Sequence, residues 1–205
     1  MISKTKQKIL DTSLNLFNEY GLSQITLRRI ANELKMSQGN LNYHFKKREE
    51  IIEQLYHQLV LNIDKNIGLI SLDEVSVKSI YTICKSILYQ FYEYRFFLLD
   101  FTQIMREQSK IKTHYQQLLT IRKSQTLAIF QALIQKELIR SEELPSEYEN
   151  LYTRIQILAD FWMSSITIQD NPISKKTTEK YILIIFENLY PYLTKKGILE
   201  YQKIV

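Results

Sequence analysis

Proline and glycine are scarce in this chain: three Pro and four Gly in 205 residues, with no Pro before Pro145. Sheet-containing folds spend far more of both on their turns, so the scarcity points to an all-α fold. Cysteine is nearly absent. Cys84 stands alone, no disulfide can close within the chain, and a reducing interior follows. Long apolar runs are missing as well. The longest, "ILIIF" at 182–186, falls far short of the roughly 20 residues that span a bilayer. The opening "MISKTKQKIL" has no apolar core of a secretory signal. The expectation is a soluble, cytoplasmic protein with no membrane partner.

Catalytic signatures are lacking too. There is no HExxH, CxxC, glycine-rich phosphate loop or GxSxG. His44, His57 and His114 are isolated from one another in sequence. Cys84 lies in an apolar run, where a thiol is more often buried than nucleophilic. No catalytic residue, metal site or cofactor is expected.

What is present is basic charge at one end. Residues 1–50 hold nine Lys/Arg against five Asp/Glu, and the remaining 155 hold eighteen against seventeen. A basic first quarter suits a nucleic-acid-binding module, although a solvated face has the same composition.

Apolar spacing divides the chain into helices. Ile9, Leu10, Leu14, Phe17 and Tyr20 predict a first helix over about 3–20, stopped by Gly21. Thr26 is the candidate N-cap of a second, to Leu34, with Leu27, Ile30, Ala31 and Leu34 on one face. After the turn "KMS", Ser37 caps a third that runs to His44. Two short helices joined by about three residues form a helix-turn-helix unit. Longer helices are expected over about 47–67, 74–94, 95–108, 111–140, 146–169 and 175–194. Pro145 falls near the start of one, and Pro191 near the end of the last.

The third helix carries the chemistry. "MSQGNLNYHF" (36–45) is rich in poor helix formers, which suits a groove better than a core. The major groove of B-DNA admits one helix. Gln38, Asn40 and Asn42 each combine a donor with an acceptor, as adenine recognition needs. Gly39 lets the backbone approach closely, and Tyr43 and His44 can donate to phosphates. Leu41 and Phe45, four apart, anchor the helix. Lys46, Lys47 and Arg48 follow where a strand backbone would pass.

The stretch "KILDTSLNLFNEYGLSQITLRRIANELKMSQGNLNYHFKKREEII" resembles the DNA-binding domain of the TetR/AcrR family of transcriptional regulators. The likeness covers about residues 7–52 without a gap and sets Gly21, Thr26, Ile30, Ala31, Ser37, Gly39, Leu41, His44 and Phe45 in register. It implies a DNA-binding domain over 1–47 and a helical ligand-binding and dimerisation domain over 48–205. The implied partners are double-stranded operator DNA, a second copy of the chain and an unidentified small ligand. The implied DNA contacts are Thr26, Arg28, Ser37, Gln38, Gly39, Asn40, Asn42, Tyr43, His44, Lys47 and Arg48. Three positions depart from the family pattern. Arg29 replaces a common acid, Lys35 a common turn glycine and Asn42 a common tyrosine.

In the larger part, aromatic and apolar residues crowd into "SIYTICKSILYQFYEYRFFLLDFTQIM". Core packing explains any one of them. An apolar cavity for a small apolar or aromatic ligand is expected at Tyr81, Cys84, Leu88, Phe91, Phe101, Met105, Thr126, Phe130 and Trp162. The helices expected over 146–169 and 175–194 are the candidate dimer helices, and "EKYILIIFENLYPYL" in the last is apolar on more than one side, as a helix covered by a partner chain would be. The reading is a homodimeric, ligand-responsive regulator, most simply a repressor. The alternatives are a ligand-independent or activating regulator, or a helical small-molecule-binding protein without DNA binding.

Overall fold

The computed structural model describes residues 3–68 and 71–205. Among them are eleven α-helices and no strand; a single antiparallel bridge joins Ile139 to Leu193. The first three helices follow the local signals. α1 (Lys4–Tyr20) begins where the Ser3 hydroxyl accepts from the Lys6 N–H at 3.2 Å, and ends at Gly21, whose φ of 75° is open to glycine. α2 (Leu27–Glu33) is capped by Thr26 and α3 (Gln38–His44) by Ser37, each hydroxyl accepting a backbone N–H at 3.2 Å. The turn between α2 and α3 passes through Lys35 in the left-handed region, φ 53°.

α4 (Arg48–Ile67) is the long connector. Glu49 and Glu50 favour its positive N-terminal end, and Glu50 reaches back to accept the Lys46 N–H at 2.9 Å. α5 (Val77–Glu93) and α10 (Lys175–Phe186) open with reciprocal hydroxyl caps, Ser76 with Ser79 and Ser174 with Thr177. α4 packs on α1 and α5, and α10 packs on α5 and α9 (Glu147–Ile168). One buried cluster runs from Ile9 and Phe17 through Ile51, Leu55 and Tyr56 of α4 to Trp162 and Ile185. Phe17 of α1 meets Phe96 at 5.3 Å between ring centres. A second cluster gathers Phe130, Leu133, Tyr148, Phe186 and Leu189.

Four boundaries differ from the sequence expectation. The helix expected over 95–108 breaks at Asp100 into α6 (Arg95–Leu99) and α7 (Phe101–Glu107). The Asp100 carboxylate accepts the Leu22 N–H at 3.1 Å, so the break ties the body to the loop after α1. α8 (Ser109–Gln135) stops five residues before the expected 140, because Glu137 turns to φ 58° and the chain folds back. Pro145 precedes a left-handed Ser146 (φ 57°) that leads into α9, so it is not the first helical residue. The last expected helix ends at Phe186. A 3-10 turn containing Pro191 follows, then α11 (Lys195–Tyr201), which the apolar pattern did not announce.

Candidate nucleic-acid interface and core cavity

The two ends of α3 are fixed by Ser37 and by Phe45, which is buried at its C-terminus, and its only buried helical residue is Leu41. The rest of the surface is left over. Gln38, Gly39, Asn40, Asn42 and Tyr43 are all exposed, Tyr43 at 84% of its surface. A tyrosine so bare adds nothing to the buried core. Gly39 is equally informative: a Cβ built there meets nothing within 4 Å. Its missing side chain serves no internal contact.

Thr26 and Ser37 hold exposed caps on the same unit, and Arg28 is exposed beside Thr26. His44 is half-buried and meets Tyr43 edge-on at 5.3 Å. Lys46 and Lys47 are exposed. Arg29, the departure from the family acid, lays its guanidinium over the Tyr20 ring at 4.0 Å, so its charge is held by an aromatic face. Arg48 differs from its neighbours. Its guanidinium donates to the carbonyls of Leu22 (2.7 Å) and Ile25 (3.1 Å). In this structure the Arg48 side chain turns inward and braces the loop between α1 and α2.

The body encloses a cavity of about 250 Å³ between α4, α5, α8 and α9, with Phe97, Leu98 and Phe101 from α6 and α7. Of the sequence-expected residues, Cys84, Phe91, Phe101, Thr126 and Phe130 line it. Tyr81, Leu88, Met105 and Trp162 do not. Tyr81 meets Phe186 edge-on at 5.3 Å, and Leu88 is buried in the main cluster. Met105 packs against that cluster, and Trp162 stacks on Tyr181 at 4.9 Å with its indole N–H unpartnered. The reason is rotational. On α5 the cavity takes Ile80, Ile83, Cys84, Ile87 and Phe91, a stripe at helical spacing, and Tyr81 and Leu88 sit about 100° round from its centre. Burial raises the Cys84 thiol to about 12, so it remains a protonated thiol.

Sequence reading missed two sets of residues. One is the α4 wall, Tyr56, Leu59, Val60, Ile63 and Ile67. The other is the polar group of α8 and α9. Asp160 is 5% exposed, and its Oδ2 accepts from the Tyr115 hydroxyl at 2.7 Å and from the Gln156 amide. Burial raises its carboxyl above the ordinary range, and these two donors oppose that rise. Arg122 also lines the cavity, but it pairs with Asp64 of α4 and donates to Gln125 at 2.8 Å. The signal was a lone acid inside the apolar run "ILADFWM".

On the outer surface, α9 leaves Ile157 (53%), Phe161 (40%) and Ile168 (83%) exposed. α10 buries Ile182, Ile185 and Phe186 within the chain and leaves Leu183 and Ile184 half-buried. Of the two helices expected to supply a dimer contact, α9 therefore carries more of the apolar surface lacking a partner than α10.

Known proteins share this fold. Residues 9–55 match the family of bacterial regulatory proteins of the tetR type, and residues 58–201 match a second TetR description, bacterial transcriptional repressor. Over 60 residues the chain is 32% identical to the HTH-type transcriptional regulator AcrR of Shigella flexneri, covering 29% of this chain and 28% of that protein. The chain thus aligns with little more than a quarter of that relative's length. A TetR-family regulator from Marinobacter aquaeolei VT8 superposes with a TM-score of 0.86 at 23% identity, covering 95% of this chain and 93% of that one. One from Haloarcula marismortui gives 0.70 at 13% identity, covering 94% and 100%. At these identities the two structures establish a common fold. Among the described residues no helix is long and apolar enough to cross a membrane, and no cluster of three or more potential metal ligands occurs.

Proposed function

The chain belongs to the TetR family of bacterial regulatory proteins, and from that premise we propose that it is a homodimeric DNA-binding transcriptional repressor released by a small ligand. The observation that carries the reading is α3: a helix capped and anchored by its own chain that leaves every amide side chain facing solvent. Gln38, Asn40 and Asn42 read base edges in a major groove. Thr26, Arg28, Ser37, Tyr43, His44 and Lys47 hold phosphates, and Gly39 lets the backbone approach. Arg48 positions the unit from within.

The proposed division at residue 47 falls at the start of α4, a helix that also walls the cavity. A ligand in the cavity presses on α4 and so acts on the reading head. The cavity supports this reading over a ligand-independent regulator. The exposed face of α9 supplies the dimer contact together with α10.

In-vitro selection of duplexes bound by the full chain tests the reading. The expected product is an inverted repeat whose half-sites lie about 34 Å apart, one turn of B-DNA. Binding should weaken steeply with salt. Recovery of no preferred sequence would refute sequence-specific regulation.

A further inference from the structure

The cavity is almost wholly apolar, so its few charges decide what can enter. Two formally charged residues line it, Arg122 and Asp160. Arg122 is answered by Asp64. Asp160 has no ion-pair partner among the described residues. Its Oδ2 takes two hydrogen bonds, and its Oδ1 takes none among the described residues. A buried carboxylate without a counter-charge is costly to keep. A core that needed only to be packed would place an apolar side chain there. Instead Asp160 is held in one orientation by Tyr115 and Gln156, at a wall where Phe101 meets the Tyr115 ring edge-on at 5.2 Å. A carboxylate beside aromatic faces is the combination that favours a desolvated organic cation.

We propose that the cavity takes a lipophilic organic monocation, with an amine or quaternary ammonium head at Oδ1 of Asp160 and an apolar body along α4, α5 and α8. The choice rests on reading the cavity as the effector site and deepens it. An acidic ligand meets an unanswered negative charge at Asp160, and it finds Arg122 already engaged. A neutral ligand fits the walls, and a hydroxyl can donate to Oδ1, but it brings no counter-charge to Asp160.

Calorimetric titration of the full chain, without DNA and at neutral pH, separates these classes. The probes are octyltrimethylammonium, 1-octanol and sodium octanoate, each below its micellar concentration. The quaternary ammonium should bind at least about tenfold more tightly than octanol, and octanoate should bind weakest. In Asp160→Asn, which keeps the shape and removes the charge, the advantage of the cation over octanol should vanish while octanol binding is unchanged. Octanoate or octanol binding tightest overturns the proposal, as does an Asn variant that retains the cation preference. Should that variant not fold, the ranking in the unsubstituted protein still decides. Because DNA is absent, failure here leaves operator recognition standing. Cation binding that does not alter operator affinity would instead count against ligand control.

Discussion

Gly39 separates stability from function within one residue. Alanine is the better helix former, and the added Cβ meets open space. Gly39→Ala should raise the stability of the free protein by roughly 0.5–1 kcal/mol, read by denaturant titration. The same change should weaken operator binding, because in the proposed complex the methyl group faces the DNA. A variant that binds as well as the parent would show that α3 does not approach DNA at this point. Lys35 offers the opposite case. Its φ of 53° is strained for a residue with a Cβ, so Lys35→Gly should stabilise the protein by roughly 0.5–1 kcal/mol. Two carboxyls with shifted pKa, Glu147 and Asp160, act in opposite senses. Glu147 pairs with Arg140 at 2.8 Å, which lowers its pKa to about 2. The stability it contributes is present above its ordinary pKa of 4.5 and is lost as pH falls from there towards 2. Glu147→Gln should lower Tm at neutral pH and flatten the loss of Tm on acidification. Asp160, with a raised pKa, costs stability as pH rises through that raised value.

At the scale of the element, α3 and its neighbours were legible in the sequence because their determinants are local. Ser3, Thr26 and Ser37 cap within three residues, and Gly21 stops a helix by its own geometry. Arg48 was not legible, since its partners are carbonyls 26 and 23 residues away. In sequence it is one more member of a basic run. Two substitutions separate it from its neighbour. Arg48→Met should destabilise the fold by about 1.5–3 kcal/mol, the range for hydrogen bonds from a charged donor. Lys47→Met should leave stability nearly unchanged and reduce the slope of log affinity against log salt by about 1, the value of one phosphate contact. Reversal of that pattern would return Arg48 to the DNA surface. The cavity was half legible for a similar reason. Aromatic richness marked α5 through α7, but a step of one residue rotates a side chain by about 100°. Composition could not separate Cys84 and Phe91, which line the cavity, from Tyr81 and Leu88, which do not.

At the scale of the whole molecule, the proposed dimer places its contact on α9. Ile157, Phe161 and Ile168 recur along one side of α9 and lie substantially in solvent. Covering such a stripe is favourable at roughly 25 cal/mol per Å², and a charge placed there opposes it. Ile157→Glu should shift the protein from dimer to monomer in light scattering at micromolar concentration, with folding retained by circular dichroism. Affinity for a two-half-site operator should fall much further than affinity for a single half-site. A parent protein that is itself monomeric would refute the dimer.

α4 begins beside the Arg48 brace and continues as a cavity wall to Ile67. At 1.5 Å per residue a helix of this length is a rod of roughly 30 Å. Each degree of tilt about one end therefore moves the other by about half an ångström. In a symmetric pair tilting in opposite senses, the distance between heads changes by about one ångström per degree, against a groove spacing of about 34 Å that DNA itself sets. In the proposed dimer a gear of that ratio needs only a few degrees to carry two heads out of phase with the duplex, so a guest that shifted Leu59 and Ile63 slightly would have mechanical advantage enough.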